Sequence, residues 1–442
     1  MSNATFALSL GLAGCASAIA MPDVADPAPS RASLSVRMSD VDVAIARGRG
    51  PVALDELIAT YDRLHDGASR EALAQVIDKV AAQRYATVSH LYWYTDLERA
   101  EAAAAKQHKP ILALRMLGRL DEDLSCANSR FFRATLYANK ELSQYLRDNF
   151  ILYWSSERAV PKVTIDFGDG RKIESTTTGN SAHYILDDKG AVLDAIPGLY
   201  TPAAFRAELA TSLAHARAVA AAPAHERGAK IIGYHRARLA AIQAVAAKLN
   251  VYAMQGVRVS AEEALSRAQR ATISKGYVEV PQLRQITSAE LRSIDEDEVS
   301  TWATFARQLW PLVVEVPPLM NVEYPDADRR GFRPWVEIFD DQSIALVDRL
   351  YGETKGTAHD QMLSRLATHA LADSALNQLR LRPQIHELLA KGSTDFTTIN
   401  DAIYATVFHT PKSDPWLGLH ARRDFTGLPD DGATMPAATA HR

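Results

Sequence analysis

Only two cysteines, Cys15 and Cys126, occur in 442 residues. That is too few for the disulfide framework of a small secreted scaffold, and no CxxC pair or HExxH motif offers a zinc site. An excess of charge is also missing: 49 basic against 53 acidic residues leave −4, so no surface for nucleic acid is advertised. Beyond the first twenty residues, Lys, Arg, Asp or Glu interrupts every apolar run before the ~18 residues that a spanning helix needs. GxSxG, P-loop and GxGxxG motifs are absent. The nearest approach, GRG at 48–50, follows a helical pattern and precedes Pro51, so it lacks the strand-loop-helix setting that cradles phosphate. No repeat of fixed period suggests a solenoid. What is present is an ordinary globular composition, 47% hydrophobic and 23% charged. The chain exceeds the ~250–300 residues that one core fills, so two or three packed units are expected.

The beginning of the chain differs from the rest. FALSLGLAG (6–14) is a short apolar segment, and LAGC (12–15) resembles the lipobox of bacterial lipoproteins, whose cysteine becomes the lipidated first residue. The resemblance implies a signal peptide over 1–15, lipidation at Cys15 and a place on the periplasmic face of a bacterial cell envelope. Residues 16–33, rich in Ala and Pro, then read as a disordered tether. Membrane contact is expected only through this anchor. The alternative is a cytoplasmic protein with a disordered tail, since MSNAT carries no Lys or Arg. With Cys15 lipidated, Cys126 is the one thiol left and no intramolecular disulfide is possible.

Apolar spacing of three and four residues predicts a helical hairpin over 34–85: LDELIATYDRL (54–64) and REALAQVIDKVAAQRY (70–85), joined by HDGAS, with Ser69 and Glu71 marking the second start. From 86 the period alternates. HLYWYTD (90–96) reads as a strand, and LERAEAAAAKQHK (97–109) as a helix capped by Asp96. PILALRML (110–117) is a buried strand, and 126–150 a helix broken near Tyr137, with Asn139 capping its second half. FILYW (150–154) is a further strand, VTIDFGDGRKIEST (163–176) a hairpin around GDG, and 182–200 two strands around Asp-Lys-Gly. Thr201 before Pro202 opens a closing helix that runs to 222. Residues 223–428 read as a mainly α-helical C-terminal domain, with helical stretches at 234–255, 260–273, 298–313, 340–352, 359–381 and 397–409. A Pro- and Gly-rich crossover is expected at 315–335 and a disordered tail at 429–442.

The order over 86–222 is β-α-β-α-β, an inserted β-hairpin, then β-β-α, with Cys126 at the start of the helix after the central strand. This α/β arrangement resembles the thioredoxin fold. The likeness is sharpest in CANSRFFRATLYANKELSQYLRDNFI, similar to that family's active-site helix and following strand, and in HYILDDKGAVLDAIPGL, similar to its late hairpin and Pro-Gly. Two positions depart from the family. Its CxxC is here CANS, with Ser129 in place of the resolving cysteine. Its cis-proline position falls in TGNSAHY (178–184), at Ser181 or a neighbour. The resemblance implies thiol-disulfide chemistry through Cys126 with thiol- or disulfide-bearing envelope proteins as partners. Residues 223–442 match no family of known activity.

A thiol at a helix N-terminus is favoured as thiolate by the helix dipole, with help from Arg130 or Arg133 and opposition from Asp121, Glu122 and Asp123. With no second thiol, a mixed disulfide at Cys126 is released only by an external thiol or by hydrolysis of an oxidised form. The alternative is a small buried residue. Ser129 either donates to that thiolate or caps the helix, and His183 either approaches the cysteine or faces solvent. Trp93 and Trp154 are core residues. Arg380, Arg382 and His386 cluster near Pro383, and His409, Asp414 and Trp416 share a Pro-punctuated loop. An anion or metal site there would lack a third ligand at recognised spacing, so burial of Trp416 and Leu417 with Arg-carboxylate pairs is the preferred reading. No cofactor or metal is expected. Two functions stand open: monothiol exchange or sensing through Cys126, and a non-catalytic interaction or scaffold lipoprotein.

Overall fold

The computed structural model describes residues 39–176, 179–253, 335, 338–352, 354–417, 427–429 and 433–434, with backbone alone over 248–253. The lipobox, the tether, the helices expected at 260–273 and 298–313, and the crossover up to 334 lie outside the described residues.

The N-terminal unit has one helix more than a hairpin. Ser39 and Asp42 form a reciprocal capping box that starts α1 (Asp40–Arg49). Gly50, at φ 73, turns the chain into α2 (Pro51–Arg63). Helix α3 (Gly67–Ala81) is capped by Asp66, whose carboxylate accepts from Ser69 N, so Ser69 stands inside the first turn rather than at its head. After α4 (Ala86–Ser89), Tyr92 closes a separate apolar core made by Leu54, Leu57, Ile58, Leu73, Val76, Ile77 and Val80.

The strand expected at 90–96 shrinks to a single bridge between Tyr94 and Tyr153. The reason is where its polar groups go: Trp93 N donates to Ala81 O and its indole Nε1 to Gln83 Oε1 at 2.7 Å. Trp93 is thus tied to the end of α3, and only Tyr94 pairs with the sheet, donating to Leu152 O at 2.8 Å and accepting from Trp154 N at 3.0 Å. Asp96 caps α5 (Leu97–Gln107), as read from sequence.

Strand β1 (Ile111–Leu117) leads to α6 (Ala127–Phe131), which passes into a π-helical turn (Phe132–Leu136). Asn139 then caps α7 (Lys140–Asn149), accepting from Leu142 N at 2.9 Å, and β2 (Ile151–Arg158) follows. The hairpin of β3 (Lys162–Asp166) and β4 (Lys172–Thr176) forms its own two-stranded sheet. Strands β5 (Ser181–Leu186) and β6 (Val192–Pro197) complete a four-stranded sheet of order β2-β1-β5-β6. In it β1 and β2 run parallel, joined by the helical crossover, and the other pairs are antiparallel. Every residue of β5 and β6 is buried, which requires cover on both faces. Helix α8 (Pro202–Ala220), with Pro202 in its first turn after Thr201, supplies part of it.

The rest comes from the C-terminal half: α9 (Ala224–Ala253), α10 (Asp341–Tyr351), α11 (Thr357–Leu376) with a π-helical turn (Asn377–Leu381), α12 (Arg382–Leu389), and α13 (Phe396–Ala402) with another (Ile403–Val407). Ile385, Leu389, Ile403, Tyr404 and Phe408 belong to the same apolar cluster as Leu114, Ile185 and Ile196 of the sheet. The C-terminal region is therefore mainly helical as expected, but its last helices complete the core of the sheet rather than enclosing one of their own. They also cover the outer edge of β6, where Val192 N donates to Thr394 O at 2.8 Å.

Candidate functional site

Cys126 is the N-cap residue of α6 and has no solvent exposure (0%). Its N–H donates to Leu117 O at 3.2 Å, and the residue belongs to the main apolar core. The dipole argument weakens here, because α6 spans only Ala127–Phe131 before the π-helical turn changes its bonding pattern. The hydroxyl of Ser129 lies 2.8 Å from Cys126 O and 2.6 Å from Ser125 Oγ. Its single proton serves that local pair, which makes Ser129 a helix-start residue.

Arg133 is a cation beside the thiol. It is buried, and donates to Leu120 O at 3.1 Å, Glu122 O at 2.5 Å and Ser125 Oγ at 3.1 Å. Burial lowers its pKa to about 10, against the pull of Tyr85, Asp123 and Cys126, so it stays charged at neutral pH. Arg130 donates to Thr176 Oγ1 at 3.2 Å. The acidic residues before Cys126 are paired elsewhere: Asp121 with Arg119 at 2.7 Å, and Asp123 with Arg84 at 2.8 Å.

His183 faces neither solvent nor a reacting group. It lies fully buried on β5, its Nε2 2.7 Å from the Tyr137 hydroxyl and its ring 4.7 Å from both Phe132 and Phe205. Burial pushes its pKa down to about 3, so it is a neutral member of an aromatic core. Burial also raises Tyr137, with a further contribution from Cys126. Trp93 and Trp154 are core residues, as expected.

The residues before β5, where the resemblance placed a cis-proline, are closed over by two segments; no described peptide bond is cis. From α6, Asn128 Nδ2 donates to Gly179 O and to Ser181 Oγ at 3.0 Å. From the C-terminal side, Tyr404 donates its hydroxyl to Asn180 O at 3.3 Å, while Asn180 Nδ2 donates to Thr410 Oγ1 at 3.1 Å. Arg158 holds the His409–Asp414–Trp416 loop by donating to Thr410 O at 3.1 Å and Asp414 O at 2.7 Å, and Leu417 is buried beneath it. The loop is thus tied down by carbonyls accepting from Arg158 and by Lys412, which pairs with Asp401 at 2.6 Å and Glu157 at 3.7 Å where an arginine was expected, while Trp416 is only half-buried.

A second constellation lies at β6, and sequence reasoning reached only half of it. Arg382 and His386 were read as a cluster; their partners Asp194, Glu208, His235 and Arg238 were not. Asp194 Oδ1 accepts from Ala195 N at 2.8 Å and Arg382 Nη1 at 2.7 Å. Its Oδ2 accepts from Ser212 at 2.6 Å, Tyr234 at 2.9 Å and Arg382 Nη2 at 3.1 Å. Glu208 accepts from Arg382 at 3.1 Å and Arg238 at 2.9 Å. His235 and His386 meet Nδ1 to Nδ1 at 2.9 Å, and His235 Nε2 lies 3.1 Å from Leu193 O. The Leu193 carbonyl can only accept, so Nε2 of His235 carries a proton, and one further proton bridges the two Nδ1 atoms. The one sequence signal was Asp194 itself, a carboxylate in the middle of the apolar strand VLDAIP.

Asp194, His235 and His386 bring donor atoms within 4.8 Å of one another, a spacing that suits a metal ion. A histidine whose second nitrogen is bonded to a backbone carbonyl also suits one. The carboxylate does not: its oxygens are filled by the donors named above, and Arg382 lies directly on it. Two guanidinium groups already balance the two carboxylates, so a divalent ion would enter as uncompensated buried charge. The arrangement fits protons and not a metal. It pulls Asp194 well below the usual carboxylate range through Arg382, against burial, while burial lowers His235 to about 4 and His386 well below its ordinary value.

In comparisons with known proteins, no family model, no curated protein and no solved structure matches this chain.

Proposed function

We propose that this chain is a thioredoxin-like protein that acts by binding, as an interaction or scaffold protein, rather than by thiol-disulfide catalysis. What supports the thioredoxin-like part is the βαβ half followed by a ββα half, with Cys126 at the head of the helix after the central strand and the β3–β4 hairpin set outside the main sheet. The observation that carries the choice of function is the complete burial of Cys126. Thiol-disulfide exchange needs a thiolate that reaches the partner's sulfur, and a sulfur with no exposed surface meets no partner while the fold is closed. The commitment of Ser129 to Ser125 and the Cys126 carbonyl adds to this, because nothing stands in for the resolving thiol. Arg133 is the feature that favours the monothiol reading, since its charge stabilises a thiolate at Cys126.

Alkylation of the Cys15→Ala protein, which leaves one thiol, separates the two readings. Under the binding reading, iodoacetamide modifies native Cys126 at least ~100-fold more slowly than the unfolded chain from pH 7 to 9, as expected when reaction waits for local opening. A native rate within about tenfold of the unfolded one returns the assignment to thiol exchange.

The same reading places the protein on the envelope through a lipid at Cys15, with envelope proteins as partners. Labelling of cells with a radioactive fatty acid is expected to mark the wild-type chain and to vanish in Cys15→Ala. Undiminished label in that variant removes the anchor from the proposal.

A further inference from the structure

We infer that the His235–His386 pair is an acid-operated latch that fastens α9 and α12 to β6. The pair lies where four elements meet. Strand β6 brings Leu193 and Asp194, α8 brings Glu208, Ser212 and His215, α9 brings Tyr234, His235 and Arg238, and α12 brings Arg382 and His386. His235 and His386 both have zero exposure.

With both imidazoles neutral, the site closes electrically: Asp194 and Glu208 balance Arg382 and Arg238, and one proton bridges the 2.9 Å between the Nδ1 atoms. A further proton on the pair goes to its one bare nitrogen, His386 Nε2, which is buried with no hydrogen-bond partner, so the new N–H finds no acceptor. It also adds a cation facing Arg382 and Arg238. Asp194, the nearer carboxylate, has no lone pair to spare for it. The remaining titratable neighbours do not help: Tyr200 and Tyr234 are held neutral by burial, and His215, stacked on Tyr234 at 3.8 Å, is itself lowered by burial. Protonation is therefore relieved by bringing the buried imidazolium to water, which means lifting α12, and α9 joined to it, from β6.

The sign follows from linkage. His235 holds off its proton until about pH 4 in the closed state, whereas an exposed imidazole takes one near ~6.5. Between those values the open state binds more protons, so closure weakens as pH falls from ~6.5 and the loss levels off below about 4. For His235 alone the shift from pH 7.5 to 5 favours opening about 30-fold. His386, lowered further, adds to it.

Hydrogen exchange on the full chain tests this, with rates corrected for the intrinsic pH dependence. Amides of α12 and of α9 around His235 are expected to lose protection by roughly 30-fold or more between pH 7.5 and 5, while α3, in its separate core, holds its protection. His386→Asn, which keeps an N–H donor near the Nδ1 position but cannot titrate, removes the His386 share and reduces the response of α12 toward the roughly 30-fold of His235 alone. Should that variant fail to fold, His235→Gln, which keeps a donor toward Leu193 O, takes its place. Unchanged α12 protection in the wild type, an equal loss in α3, or an undiminished slope in the substituted chain each overturns the latch.

Discussion

Arg382→Met is expected to cost about 3–5 kcal/mol of folding stability, the range found when one partner of a buried ion pair is removed. Arg382 has zero exposure and donates to Asp194, Glu208 and the Ala195 carbonyl. Methionine fills most of the volume, so little of the loss comes from a cavity. The cost arises because Asp194 stays buried with its ion partner gone, and Arg238 alone must balance two carboxylates. Urea unfolding at pH 7.5 measures it as a fall in midpoint of roughly 1–3 M at constant slope. The loss carries a pH signature. Without Arg382, burial raises the Asp194 carboxyl above its unfolded value, so the deficit relative to wild type shrinks as the carboxyl is protonated at lower pH and grows as pH rises. A cost under about 1 kcal/mol at pH 7.5 would mean that Asp194 does not depend on Arg382.

Gly198→Ala is expected to be the next most damaging change, at about 2–4 kcal/mol, combining left-handed backbone strain with overpacking. Gly198 sits at φ 71, and a methyl group there would fall 2.5 Å from Asn377 Nδ2 and 2.9 Å from its Cγ. Asn377 cannot swing away cheaply, because it is buried and donates to Leu199 O at 2.7 Å. The clash thus pushes the turn after α11 away from the end of β6. A double-mutant cycle with Asn377→Ala divides the effect: removing the amide relieves the overlap but not the strain, so the coupling should reach at least ~1 kcal/mol. Additive losses would place the whole cost in the backbone.

How far the sequence led depends on the distance over which each feature is determined. The caps at Asp96, Asn139 and Thr201–Pro202 were legible because a cap is settled within four residues. The alternation behind the four-stranded sheet was legible because burial of both faces writes continuous apolar runs such as ILALRML. The stretch around Trp93 misled because strand-like composition says nothing of Gln83, whose side chain draws the indole away. The leading helix α1 lies within the stretch read as helical, but its separation from α2 at Gly50 was not legible, although Ser39 and Asp42 carried a capping signal. The candidate site divides in the same way. CANS at 126–129 shows a single cysteine, a local fact, whereas the burial of Cys126 depends on the main core assembled from distant segments. Arg382 and His386 stood out by composition, but their partners lie in distant segments and no spacing connects them.

The bond between Asp194 and Arg382 joins residues 188 positions apart, and this sets a clock on synthesis. A ribosome adding ~5–20 residues per second delivers Arg382 about 10 to 40 s after Asp194. Throughout that interval Asp194 lacks Arg382 and stays hydrated only while the last strand remains open to water and to other chains. The protein cannot mature from front to back. Its final helices are the step that permits the first half to close, and a chain interrupted before residue 382 is left with an exposed strand edge for chaperones and proteases to find.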